Sequence, residues 1–87
     1  MSVDNTIKIG KINLSKIKDI MRFIQIINQQ EGDYILQHNS IEVKAKSIIG
    51  IYSLDLAEDV WLIAKKAEKS EIEKLMETLK EDNLLKD

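Results

Sequence analysis

The chain has 87 residues, 44% apolar and 32% charged, with a net charge of −2 and neither cysteine nor proline. One small globular domain, residues 1–87, fits these values, whereas a disordered chain, a disulfide framework, a thiolate metal site and a cysteine nucleophile are excluded. Lysines alternate with acids, so no nucleic-acid partner is expected. No apolar run approaches the roughly 18 residues of a membrane span, and residues 1–15 lack the pattern of a signal peptide, so no membrane is expected either. The expected setting is the cytoplasm, with no metal and no cofactor.

In chain order, TIKIGKI (6–12) alternates, with Ile7 and Ile9 on one face and Thr6, Lys8 and Gly10 on the other, which predicts a strand. From 16 to 30 the period becomes helical. Ile17, Ile20, Met21, Ile24 and Ile27 form one stripe, Lys18, Arg22, Gln25 and Gln29 face away, and Ile26 falls outside the stripe. Ser15 is the expected N-cap, and Gly32 the expected left-handed residue past the helix end. DYILQ and IEVKA flank His38, Asn39 and Ser40, a hairpin whose turn uses Asn39. Ile41, Val43 and Ala45 alternate there against Glu42, Lys44 and Lys46.

Residues 47–54 predict a short helix and VWLIAK (60–65) a fourth strand. If Val60, Leu62 and Ala64 face the core, Trp61 and Ile63 face the other side; the same parity buries Tyr34 and Leu36 and turns Ile35 and Gln37 outward. In the last segment Ser70 and Glu73 have the spacing of a capping box, and Ile72, Leu75, Met76 and Leu79 that of a buried stripe. The order β-α-β-β-α-β-α predicts an α+β two-layer sandwich, with helices covering one face of a four-stranded antiparallel sheet.

Between the third and fourth strands the sequence reads KSIIGIYSL (46–54). It resembles the corresponding stretch of HPr, the histidine-containing phosphocarrier of the bacterial sugar phosphotransferase system, which reads approximately K-S-[IL]-[ML]-G-[VIL]-[ML]-S-L. Lys46, Ser47, Ile48, Gly50, Ile51, Ser53 and Leu54 match, while Ile49 and Tyr52 depart from it. The element order agrees over nearly the whole chain, so the resemblance implies an HPr-like open-faced sandwich.

In that family a histidine at the start of the first helix, within G-[IL]-H-A-R-P-A, accepts a phosphoryl group from enzyme I and passes it to sugar-specific enzymes. The corresponding stretch here is NLSKIKD (13–19), which puts Lys16 at the histidine position, Lys18 at the arginine position and Asp19 at the proline position. A neutral imidazole can take up and surrender a phosphoryl group near pH 7, whereas a lysine ammonium with an ordinary pKa of about 10 is not a nucleophile there. Asp19 adds negative charge where the phosphoryl group would arrive. His38, the only histidine, reads as a turn residue. The resemblance therefore implies a protein that is not an enzyme, similar to the catabolite-repression HPr-like proteins, which also lack the histidine.

Ser47 alone predicts an N-cap contributing about 1 kcal/mol. In Gram-positive HPr the matching serine is phosphorylated by an ATP-dependent HPr kinase, and the product binds a transcriptional regulator. The resemblance thus implies these two protein partners and regulation of sugar transport, with Ser47 the phosphorylation site and Lys46, Lys16 and Lys18 as cationic support. It also implies a docking surface drawn from Lys46, Ile48, Ile49, Ile51 and Tyr52, in which Ile49 and Tyr52 are the expected exposed pair. With the second and fourth strands neighbours, as in the family, Ile35, Trp61 and Ile63 would form a second apolar patch, open to a homodimer contact or a partner. Two alternatives are a phosphocarrier using Lys16, Ser15 or His38 as acceptor, and an orphan domain in which Ser47 only caps its helix.

Overall fold

The computed structural model describes residues 6–54 and 58–86. The elements are β1 (Ile7–Ile12), α1 (Ile17–Asn28), β2 (Asp33–His38), β3 (Ile41–Lys44), α2 (Ile48–Tyr52), β4 (Trp61–Lys66), α3 (Lys69–Glu81) and β5 (Leu85–Lys86). All strand pairs are antiparallel, in the order β3-β2-β4-β1-β5. Leu36, Leu62, Ala64 and Ile12 from the sheet meet Phe23, Ile27, Leu75 and Leu79 from the helices in one buried core. The helices therefore lie on one face and the other stays open, as the strand parity requires.

The sheet has five strands where four were expected. Asn83 adopts the left-handed conformation (φ 58°) after α3, as asparagine does readily, and reverses the chain. The buried Leu84 then anchors the return, and its carbonyl accepts from the Asn13 N–H at 2.8 Å. Two residues, Leu85 and Lys86, pair with Ile12 and Lys11.

The buried face of α1 is turned from the expected stripe. Ile20, Phe23, Ile26 and Ile27 are buried and Ile24 half-buried, while Ile17 is 68% and Met21 56% exposed. This helix is apolar around more than half its circumference, so spacing alone admits either solution. Phe23, the chain's only phenylalanine, has the largest side chain among them and sits fully buried on the core side.

The helix starts also differ. Lys16, not Ser15, is the N-cap of α1 and makes no side-chain capping bond; the Ser15 hydroxyl lies 3.5 Å from the Asp19 carboxylate. The N-cap of α3 is Glu68, so Ser70 and Glu73 fall inside the helix and form no capping box. Gly32 is not a left-handed cap. Its role is close approach, since a Cβ there would lie 2.3 Å from the Lys66 carbonyl oxygen and 2.5 Å from the Ala67 Cβ.

In β1 a bulge between Lys8 and Gly10 shifts the register by one residue. The shift brings both Ile9 and Ile12 onto the core, while Ile7 at the strand's start stays exposed. The β2–β3 hairpin has the expected form, with Asn39 left-handed (φ 55°) in a two-residue loop between His38 and Ile41.

Candidate functional site

Ser47 is extended, and its Oγ accepts from the Gly50 N–H at 3.1 Å, so the capping role read from sequence is present in the structure. Gly50 lets this short helix approach β3, because a Cβ would come within 3.0 Å of the Val43 Cβ. Ile51 (0% exposed) and Leu54 are buried, which removes Ile51 from the expected docking set. Its spacing one turn from Ser47 and next to Gly50 makes it the residue that faces the sheet. Ile49 is 81% exposed, and Ile48 and Tyr52 are about half exposed. Three of the five residues of α2 thus present large apolar side chains to solvent, and α1 adds Ile17 and Met21.

The Lys46 ammonium donates to the Gln30 carbonyl at 2.6 Å and so closes the C-terminal end of α1. Lys16 and Lys18 stand at the other end of that helix, about 20 Å away at 1.5 Å per residue. The structure brings Lys46 to Ser47 but places Lys16 and Lys18 elsewhere, correcting the expectation of shared cationic support. His38 is occupied in the hairpin. Its Nδ1 lies 3.0 Å from the Asp59 carbonyl and its Nε2 3.3 Å from Asn39 Nδ2. A carbonyl can only accept, so the neutral tautomer with hydrogen on Nδ1 satisfies both contacts.

A polar node that sequence reasoning missed joins three elements. The Glu71 carboxylate, in the first turn of α3, accepts from the Glu31 N–H at 3.0 Å, the Gly32 N–H at 3.1 Å and the Tyr34 hydroxyl. Burial pushes the Tyr34 hydroxyl well above its ordinary range, and the adjacent carboxylate adds to the effect. Burial also pushes the Glu71 carboxyl up, but its three hydrogen bonds and the nearby Lys46 ammonium outweigh that, leaving it below its usual range. The parity that buries Tyr34 was the available signal, since a buried tyrosine hydroxyl needs a partner.

On the open face of the sheet Ile35 pairs with Ile63, and Gln37 with Trp61, as the parity predicted. Ile63 is nevertheless only 6% exposed, although it lies outside the main core cluster. Its cross-strand neighbours Lys8 and Ile35 cover it, so the second patch is smaller than expected and consists mainly of Ile35 and Trp61. The Lys8 ammonium stands 3.9 Å from the Trp61 ring centroid and that of Lys11 5.4 Å. Among the described residues no group of three histidine or carboxylate side chains is placed to hold a metal ion, and no helix is long and apolar enough to cross a membrane.

No family model and no curated protein matches the sequence. Among solved structures, the fold matches the crystal structure of HPr-C-His from Thermoanaerobacter tengcongensis with a TM-score of 0.65 and 26% identity, over 94% of each chain. Together with the strand order and the single helical layer, that likeness makes the architecture HPr-like: an open-faced α+β sandwich with Lys16 at the start of its first helix and a capped Ser47 at the start of its second.

Proposed function

We propose that this chain is an HPr-like regulatory module that acts by binding other proteins and carries no phosphoryl group at its first helix. The observation that carries the reading is α2, a five-residue helix held by the Ser47 cap that buries Ile51 and leaves Ile48, Ile49 and Tyr52 open to a partner. Lys16 at the N-cap of α1 supports the absence of phosphotransfer, because a protonated ammonium offers no lone pair to a phosphoryl donor. Ser47 is the proposed switch, phosphorylated from ATP by an HPr kinase. The phosphate would add about −1.5 to −2 charge at one end of the apolar helix, beside Lys46, and so change which transcriptional regulator or other protein docks there.

Phosphate incorporation measured by intact mass tests both halves of this reading. ATP with an HPr kinase should add one phosphate to the wild-type chain and none to Ser47→Ala. Phosphoenolpyruvate with enzyme I should add none to either. A phosphate acquired in the second reaction overturns the non-catalytic assignment, and none in the first overturns the switch.

A further inference from the structure

The open sheet face carries a charge pattern that the chain as a whole does not. The register places Lys8 beside Ile63, Lys11 beside Trp61 and Lys86, and Lys44 beside Ile35, all on this face. Glu42, beside Gln37, and Asp33, which alternation puts on the same side as Ile35 and the register beside Lys66, are carboxylates of this face, and Asp59 at the rim pairs with Lys11 at 3.2 Å. Lys8, Lys44 and Lys86 form no ion pair with any described residue. A protein of net charge −2 thus concentrates lysines around its single tryptophan.

We propose that this face docks a carboxylate-rich segment of another protein. Its acids would pair with Lys8, Lys44 and Lys86, and the aliphatic parts of its side chains would rest on Ile35 and against the edge of the Trp61 ring. Charge decides among the occupants. A two-fold contact with a second copy would set these lysines against themselves, a like-charge juxtaposition that interfaces avoid. A stacked nucleotide base would need the face of the Trp61 ring, and the Lys8 ammonium already stands over it. An acidic peptide conflicts with neither and supplies the counter-charges that the face lacks. The surface lies across the sheet from α1 and α2, so the proposal stands or falls independently of the function proposed for that side.

The test is a ¹H–¹⁵N titration of the full chain at low ionic strength with a capped peptide of alternating glutamate and threonine, and in parallel with oligothymidylate of equal charge. The peptide should shift the Trp61 indole N–H and the amides of Lys8, Ile35 and Lys44, and leave those of Ile49 and Tyr52 in place. Reversing two charges in the double variant Lys8→Glu, Lys44→Glu should weaken peptide binding about five- to tenfold, and Lys86→Glu at the sheet edge about two- to threefold. Far-UV circular dichroism identifies any variant that has lost the fold, and the wild-type shifts need no variant. The proposal is overturned by an absence of shifts on this face or by unchanged affinity in natively folded variants. It is equally overturned if oligothymidylate binds more tightly than the peptide, or if the same amides shift with protein concentration alone, the sign of a second copy.

Discussion

Glu71→Gln tests how the third helix is fastened to the rest of the domain. The carboxylate accepts three hydrogen bonds, two from the backbone of Glu31 and Gly32 and one from the hydroxyl of the buried Tyr34. The amide keeps the shape but loses the charge and one acceptor, so at least one donor is left without its partner. Bonds to a charged acceptor contribute about 1.5–3 kcal/mol each, and water can replace part of that at this half-buried side chain, so the expected loss is about 2–3 kcal/mol in all. For a domain of this size that lowers the melting midpoint by roughly 10–15 °C. Urea titrations followed through Trp61 fluorescence give the value directly.

The pH dependence supplies a second reading of the same group. The folded-state pKa of Glu71 lies below its unfolded value, so its contribution is complete above about pH 5 and is lost as pH falls through the folded pKa. Tyr34 has the opposite sign. Its folded pKa lies above the unfolded value of about 10, so its contribution is complete below that pH and declines above it. The gap in stability between wild type and Glu71→Gln should therefore be widest near neutral pH and narrow towards pH 3. A loss under about 0.5 kcal/mol, or a gap that stays constant from pH 7 to pH 3, refutes the assignment.

Five further variants test other parts of the structure. Ser47→Ala removes the acceptor for the Gly50 N–H and should cost about 1 kcal/mol in chemical denaturation. Gly32→Ala would push a Cβ into the Lys66 carbonyl and should cost about 1–3 kcal/mol or shift the α1–β2 loop, visible as lost hydrogen-exchange protection there. Phe23→Ala should lose about 3–5 kcal/mol, whereas Met21→Ala should stay within about 0.5 kcal/mol; equal losses would restore the stripe expected from sequence. In Ser47→Asp the new carboxylate competes for Lys46, so the Glu71 carboxyl should titrate higher by NMR than in wild type, and an unchanged value would sever the two sites.

The sheet was legible in sequence where alternation was strict and a turn residue was unambiguous. Tyr34 and Leu36 are buried, Asn39 turns the hairpin and Val60, Leu62 and Ala64 face the core, because a period of two leaves one choice once a face is buried. The α1 stripe failed for the opposite reason: seven apolar residues within twelve permit several buried faces, and only tertiary packing around Phe23 selects among them. Ser15 and Ser70 look like caps by spacing, yet each chain segment enters its helix one or two residues away, where Lys16 and Glu68 take the extended conformation. Strand β5 and the Glu71 node depend on pairings between residues tens of positions apart, which no local pattern encodes.

The candidate site divides along the same line. The Ser47 cap is a contact across three residues and could be read locally, but which side of α2 remains exposed depends on how closely Gly50 lets it approach Val43. The fate of Lys46 depends on a residue sixteen positions earlier. Its ammonium both holds the Gln30 carbonyl and lowers the Glu71 carboxyl, so the start of α2, the end of α1 and the first turn of α3 share one cation. A phosphate on Ser47 would therefore act first on that shared charge, at the opposite end of α1 from Lys16. The regulatory chemistry proposed for Ser47 therefore draws on Lys46 and the groups that share it, and makes no use of Lys16.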